Sequence, residues 1–161
     1  CEAWETATAP ARDRGIRVVN LRIGIVLSRS GGALATMLVP FKLGVGGVVG
    51  RGDQFMSWIA LTDVVNIVGH ALTNESLRGP INAVAPHAVT NREFTKALGK
   101  VLRRPTVFPV PAVAARLVFG EMAEALLLAG ARVVPAMLDG SGFTFAYPDV
   151  EDALRHELGL G

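Results

Sequence analysis

The first hundred residues alternate between amphipathic segments and apolar runs. Residues 2–14 favour a helix that ends at Gly15, and a strand rich in Val and Ile is predicted over 16–27. That strand lacks regular polar/apolar alternation, which is typical of strands covered on both faces in a parallel sheet. The other predicted elements are a short helix over 33–41, a strand over 55–61, a helix from Thr62 or Asp63 to about 73, a strand over 81–85 and a helix after residue 90. This order predicts an α/β layer architecture with right-handed crossovers.

The helix after residue 90 has a clear local signature. Thr90 and Glu93 have the spacing of a capping box, in which a hydroxyl and a carboxylate each satisfy a free backbone N–H group. The residues that follow repeat apolar positions at helical spacing, namely Phe94, Ala97, Leu98, Val101 and Leu102. This stripe predicts a helix with one buried face.

The composition of the sequence changes after Arg104. Four prolines fall between 105 and 135. The elements predicted in this part are apolar helices over about 112–119 and 121–129, a Pro-started segment from 135, an alternating strand over 143–147 and a last helix from Asp149. We therefore predict a domain boundary near 104, with one unit over 1–104 and a mostly helical unit over 105–161.

Composition narrows the class of protein. Half of the residues are hydrophobic and 19% are charged, so the chain either buries much of its apolar surface or presents some of it to a missing segment or partner. The net charge is +2 with scattered basic residues, which argues against a nucleic-acid-binding face. No apolar run reaches the roughly 18 residues of a membrane span, and the first residues lack the pattern of a signal peptide.

Two further features concern where the chain comes from and where it acts. The chain does not begin with Met, which favours a fragment or a processed chain. A single cysteine excludes an internal disulfide, and the cytoplasm is the expected location.

The chain holds glycines and histidines that imitate functional motifs. Gly44, Gly47 and Gly50 have a GxxGxxG spacing, but a dinucleotide fingerprint needs a strand before the glycines and a helix N-terminus after them. A strand is predicted after these glycines, so they indicate a flexible or tightly turning loop. The three histidines lie far apart and have no Cys or carboxylate partners at ligand spacing, so no metal site is predicted.

Trp58 and two cations leave alternatives open. Trp58 lies in a strand that leads to a helix, where it is either a core residue or a wall of a substrate pocket, since ligands in open α/β sheets bind beyond the carboxyl ends of strands. Lys42 and Arg51 flank the glycine segment, where they either meet an anionic substrate group or are simply solvated.

Several segments taken together resemble an atypical group of extended short-chain dehydrogenase/reductases. Members are described as NAD(P)-dependent, sugar-nucleotide epimerase-like proteins, and some as cell division inhibitors. The resemblance covers essentially the whole chain. It rests on Leu21–Leu27, Gly31–Leu34, Met37–Leu38, Pro40–Gly44, Ser57–Ile59 with Asp63, Asn82–Pro86, Thr90–Phe94 and Phe119–Leu128.

The resemblance implies a fold and a set of site residues. The chain would be the late part of a Rossmann-like parallel sheet plus a mostly helical C-terminal substrate-side domain, with a substrate-side insertion at about 30–54. About half of a family member, with the glycine fingerprint, would precede Cys1. The cofactor would be NADP or NAD, and its nicotinamide would lie beside Ile23, Gly24 and Ile25. The residues implied to line the substrate are Met37, Phe41, Lys42, Ser57 and Trp58.

One departure from the family concerns the proton relay. Short-chain reductases use a Tyr whose pKa is lowered by a Lys four residues on. The only Tyr here is Tyr147, and position 151 is Glu, whose negative charge would not favour a phenolate. A loose alignment also places Cys1 where the usual Lys would stand. We therefore expect Tyr147 to be structural.

Two functions follow from the resemblance. The first is the C-terminal, substrate-side portion of an NAD(P)-dependent nucleoside-diphosphate-sugar epimerase or oxidoreductase. Its ligand would be a small molecule, with a nucleotide sugar as the candidate, and its protein partner a second copy or the missing N-terminal half. The alternative is a non-catalytic nucleotide-sensing or interaction module linked to cell division. Alone, the chain is expected to bind NADP weakly or not at all.

Overall fold

A computed structural model describes residues 2–111, 113 and 130–160. The helices predicted over 112–119 and 121–129 therefore fall almost wholly outside the described residues. The strands are β1 (Val19–Ile23), β2 (Ile25–Leu27), β3 (Phe55–Met56), β4 (Trp58–Ala60), β5 (Gly79–Ala83) and β6 (Val89–Thr90). The helices are α1 (Glu2–Thr6), α2 (Ala9–Asp13), α3 (Gly32–Lys42), α4 (Leu61–Thr73), α5 (Asn91–Leu102), α6 (Ala136–Gly140) and α7 (Val150–Leu158).

The long strand predicted over 16–27 is broken at Gly24. Its first part, β1, pairs in parallel with β5, and its second part, β2, pairs in parallel with β4. The Gly24 N–H donates to the Ala83 carbonyl at 3.1 Å, whereas the Ile25 N–H donates to the Ser57 carbonyl at 2.8 Å. The chain thus changes its partner strand between residues 24 and 25.

Glycine is required where the partner changes. A Cβ atom on Gly24 would overlap the Ser57 carbonyl oxygen and lie 2.8 Å from Cγ1 of Val84. Beyond this point the Ala85 N–H donates to the Trp58 carbonyl at 2.7 Å, so β4 is bonded both to β2 and to the residues that follow β5. The strands diverge here, and backbone fills the space that a side chain would occupy.

Two hydrophobic clusters flank these strands. One contains Trp58, Phe94 and Leu34 with the inner faces of α3, α5 and α7. The other contains Ile67 and Ala71 of α4, packed on residues of β4 and β5. Parallel strands covered by helices confirm the predicted α/β class. Ala153 and Leu154 of α7 belong to the first cluster, so residues from both sides of the predicted boundary at 104 share a core.

The N-terminal helix and the start of α4 differ from their predicted bounds. The predicted helix over 2–14 is split, because α2 begins anew after Thr8 with Pro10 as its second residue. The prediction that Thr62 or Asp63 caps the following helix was wrong. That helix begins at Leu61 after Ala60, and the Leu61 N–H donates to the carboxylate of Glu157 at 3.1 Å, so neither predicted residue is the cap.

The strand predicted over 143–147 was wrong, although its alternating pattern has a structural cause. Phe143 and Phe145 are half-buried and meet edge to face at 4.9 Å between ring centroids. This segment pairs with no strand of the described chain. The N–H groups of Ala146 and Tyr147 instead donate to the carboxylate of Asp63. A side chain thus takes the place of a partner strand.

Candidate functional site

A groove of about 820 Å3 runs beside β1. One side is formed by α1, and the far end is formed by the residues where β1 and β5 diverge. Within the described part of the chain, β1 has β5 as its sole strand partner. Val18 and Gly24 bond toward β5, so the alternate residues of a parallel ladder turn their backbone groups to the open edge. These are Val19, Leu21 and Ile23.

Two of the three predicted cofactor residues lie in this groove. Ile23 is 49% exposed and, with Gly24, lines its wall. Ile25 follows the strand break, is half-buried and bonds to the carbonyl of Ser57. The far end of the groove therefore lies at the peptide segment that the resemblance assigns to the nicotinamide, while the cofactor role itself stays a prediction.

The predicted substrate residues separate into three environments. Ser57 lines the groove beside Gly24. Met37, Phe41 and Trp58 are buried in the first hydrophobic cluster, where Nε1 of Trp58 donates to the His87 carbonyl at 3.0 Å. Lys42 is exposed at the end of α3 and does not line the groove. The structure thus brings one of the five, Ser57, into the groove with Ile23 and Gly24, and the substrate roles of all five stay predictions.

A bidentate ion pair between Glu5 and Arg22, which both line the groove, joins α1 to β1. Nε of Arg22 donates to Oε1 of Glu5 at 2.6 Å, and a terminal guanidinium nitrogen donates to Oε2 at 2.8 Å. These hydrogen bonds, more than the general attraction of charges, lower the pKa of Glu5 and raise that of Arg22. Both groups are solvent-accessible, so the pair contributes orientation more than stability.

A short segment, residues 131–134, crosses the far end of the groove; we term it the strap. Oγ of Ser57 donates to the Ala131 carbonyl at 2.6 Å and accepts from the Val133 N–H at 2.9 Å. Nδ2 of Asn82 donates to the Val134 carbonyl at 3.1 Å. Val133 lines the groove together with Asn82. Neither residue was predicted as part of the site, because the hydrogen bond that brings Asn82 to this segment joins residues 52 positions apart.

The glycine-rich segment 44–52 is a tightly turning loop outside the groove lining. Oδ1 of Asn91, a buried side chain, accepts from the Val49 N–H at 2.9 Å. The Arg92 N–H donates to the Gly52 carbonyl at 3.0 Å, and Gly52 has φ +75°. The loop follows α3 and precedes β3, an order opposite to that of a dinucleotide fingerprint.

Tyr147 lies outside the groove lining. Its ring stacks on His156 with centroids 4.3 Å apart. The carboxylate four residues on, Glu151, pairs with Lys100 at 2.8 Å and Arg155 at 2.9 Å.

Among the described residues, no helix is both long and apolar enough to span a membrane.

The chain is similar to known proteins in sequence and in structure. Residues 110–157 match a domain of unknown function, DUF1731. An epimerase family protein of Mycobacterium tuberculosis is 46% identical over 156 residues, which are 97% of this chain and 52% of the relative. The chain is related to the epimerase family proteins. It spans about half the length of the curated relatives that it matches.

Solved structures of related proteins share the fold. The human epimerase family protein SDR39U1 (isoform 2), crystallised with NADPH, is 38% identical and superposes with a TM-score of 0.83, covering 89% of this chain and 49% of that one. A nucleoside-diphosphate sugar epimerase from Corynebacterium glutamicum is 38% identical with a TM-score of 0.74, covering 99% of this chain and 30% of the other. The Rossmann-like fold predicted from the resemblance is confirmed.

Proposed function

We propose that this chain is the substrate-side part of an NAD(P)-dependent, epimerase-like protein. The observation that carries the proposal is the groove at the open edge of β1, where Ile23, Gly24 and Ser57 lie together. The human relative of the same fold was crystallised with NADPH. In the complete protein, residues 1–104 would close the Rossmann-like unit, with the insertion at 30–54 on the substrate side. Residues 105–161 would form the C-terminal unit.

The groove fits the nicotinamide end of a dinucleotide better than its phosphate end. Its volume of about 820 Å3 suits a small ligand, and Ile23 offers apolar surface on which a flat ring can pack. The loop with three spaced glycines stands outside the groove lining and follows a helix instead of a strand, so the phosphates would be held by another part of the protein. The nicotinamide, when bound, would supply hydride transfer at a sugar carbon or carbonyl.

The roles of this chain's own residues follow from their positions. Ile23 and Gly24 would contact the nicotinamide ring and fix its distance from the end of β1. The Arg22–Glu5 pair would fix α1 at the side of the groove. A nucleoside-diphosphate sugar is the substrate class that the family names suggest, because the Corynebacterium glutamicum relative is described as an epimerase of that class.

A hybrid protein tests the proposal. This chain would replace the matched half of human SDR39U1, with the unaltered human protein as the NADPH-binding control. We expect the folded hybrid to bind NADPH, measured by titration of nicotinamide fluorescence, and this chain alone to bind it weakly or not at all. Ile23→Asp should weaken binding, and Ile16→Asp, an exposed residue outside the groove lining, should not. A folded hybrid without NADPH affinity would contradict the proposal.

One departure in the sequence favours a second candidate function, a non-catalytic nucleotide-sensing module linked to cell division: a loose alignment places Cys1 where the usual proton-relay lysine would stand. The one tyrosine of the chain stacks on His156 outside the groove lining and has Glu151 four residues on. The described residues therefore hold no Tyr–Lys proton relay. Cofactor binding by the hybrid without turnover of any nucleotide sugar would favour this candidate, and epimerisation or cofactor oxidation would exclude it.

A further inference from the structure

The hydroxyl of Ser57 is hydrogen-bonded to the strap both as donor and as acceptor. A serine hydroxyl has one proton to donate and two lone pairs to accept with. The proton is used at the Ala131 carbonyl, at 2.6 Å, and one lone pair is used by the Val133 N–H, at 2.9 Å. Ser57 therefore cannot donate to a ligand in the groove unless the strap is released, although it lies in the groove wall.

Polar contacts supply most of the strap's attachment. Ala131, Arg132 and Val134 are exposed, while Val133 is half-buried. The hydrogen bond from Asn82 to Val134 is the third that fixes the segment, at 3.1 Å. A segment with few buried apolar contacts opens at a low free-energy cost, so these three bonds decide where the strap lies.

The chain also fixes where the strap begins. A Cβ atom on Gly130 would overlap the backbone of Phe55, with the Phe55 nitrogen 2.7 Å away. The guanidinium of Arg132 lies 5.5 Å from the centroid of the Phe55 ring. The start of the strap is thus set against β3 and its middle against Ser57, so Val133 has a defined place in the groove wall.

We propose that Ser57 and Asn82 are positioning residues that hold the strap so that Val133 forms the apolar wall of the groove opposite the end of β1. The consequence for ligand binding rests on the proposed function, whereas the placement of the strap does not. Val133 then limits the size of the group that is admitted beside Gly24, and Ser57 acts on the ligand through Val133.

Hydrogen exchange in this chain tests the placement without any ligand. Ser57→Ala should raise the exchange rate of the Val133 amide about tenfold or more, since an amide bonded to a single acceptor loses its protection when the acceptor is removed. Ser57→Thr keeps the hydroxyl and should restore protection, and Asn82→Asp removes the donor to Val134 and should give a smaller increase. Ser30→Ala, which removes an exposed hydroxyl, is the matched control.

The pattern of exchange separates positioning from general stability. Amides of β4 and β5 should keep their exchange rates in Ser57→Ala. An unchanged Val133 amide would overturn the proposal, and so would an equal rise at all amides or a failure of Ser57→Thr to restore protection.

The ligand consequence is tested in the hybrid with human SDR39U1. Val133→Ala should weaken NADPH binding about fivefold to tenfold, since it removes two methyl groups from the wall. Val134→Ala is the matched control, because Val134 is 52% exposed and does not line the groove. Equal effects of the two substitutions would overturn the assignment of the wall. A hybrid that binds no NADPH at all would contradict the proposed function, while the exchange result on the strap would still stand.

Discussion

Asp63 is expected to be the polar residue on which the C-terminal segment most depends. Its side chain is 0% exposed, at the third position of α4. One carboxylate oxygen accepts from the Ala146 N–H at 2.8 Å and the other from the Tyr147 N–H at 3.0 Å. The same carboxylate faces the first turn of a helix, where the free N–H groups stabilise negative charge.

The loss of stability expected when Asp63 is substituted follows from these two hydrogen bonds. Hydrogen bonds to a charged group contribute about 1.5–3 kcal/mol each. Ala146 is exposed and Tyr147 half-buried, so water can partly replace the lost acceptor, and Asp63→Ala should cost about 3 kcal/mol, near the lower end of the sum. Asp63→Asn keeps one acceptor oxygen but turns an NH2 group toward the second N–H, so it should cost about 2 kcal/mol.

Urea denaturation followed by circular dichroism measures these costs. Asp152→Asn is a matched control, because Asp152 is also the third residue of its helix, α7, but is exposed. It should cost less than about 1 kcal/mol, the usual contribution of a charge near a helix N-terminus. Equal losses for Asp63→Asn and Asp152→Asn would refute the reasoning, because the buried hydrogen bonds would then contribute nothing beyond the helix dipole.

Four other substitutions test the packing of the chain and one helix cap. Thr95→Val should leave the free energy of unfolding unchanged or raise it by up to about 1 kcal/mol, because the buried hydroxyl has no partner within the described chain; a loss in urea melts would contradict this. Gly24→Ala should lower the free energy of unfolding by about 2 kcal/mol or more by overpacking, whereas Gly69→Ala, in open space on α4, should raise it by about 0.5–1 kcal/mol. Hydrogen bonds from the Thr90 backbone and hydroxyl lower the pKa of Glu93 below 4.5. The stabilisation that ionised Glu93 gives the folded chain is therefore complete above pH 4.5 and is lost as the pH falls through the lowered pKa. Glu93→Gln should make the free energy of unfolding less dependent on pH in this range, as measured by urea melts above and below the lowered pKa.

The helix α5 was predictable because its determinants are local. Both bonds of the capping box are present, with the Glu93 N–H donating to Oγ1 of Thr90 at 3.2 Å and the Thr90 N–H donating to the Glu93 carboxylate at 2.7 Å. Phe94, Leu98 and Val101 of the predicted stripe are buried. Capping and helical periodicity involve residues within one or two turns, so a single segment of sequence contains the whole signal.

The break at Gly24 could not be predicted in the same way. Nothing in residues 16–27 shows that the chain leaves β5 and joins β4, because the partner residues lie 60 and 33 residues further along the chain. Asp63 illustrates the same limit, since its acidic side chain near a helix start predicts a cap, while its actual partners are 83 and 84 residues away. Register and long-range hydrogen bonds are properties of the assembled fold.

The candidate site was predictable in part for a related reason. Ile23, Gly24 and Ser57 reach one groove because they stand where strands end or diverge, and such positions are recognisable from a strand pattern and a family resemblance. Met37, Phe41 and Trp58 are apolar residues in the core of the described chain. Their residue types suit a core and a pocket wall equally well, so sequence cannot separate the two roles.

The open edge of β1 gives a physical reason for the apolar composition. Val19 and Leu21, which line the main groove, also line a second groove of about 230 Å3 together with Val68. The outer side of α4 adds a stripe of exposed apolar residues at helical spacing: Leu61, Val65, Val68 and Leu72. A strand placed beside β1 would bond the free backbone groups of the edge, and the helices joined to it would cover the second groove and the stripe on α4. A mean hydropathy of +0.40 is therefore what we expect of a chain that presents this much apolar surface beside an open sheet edge.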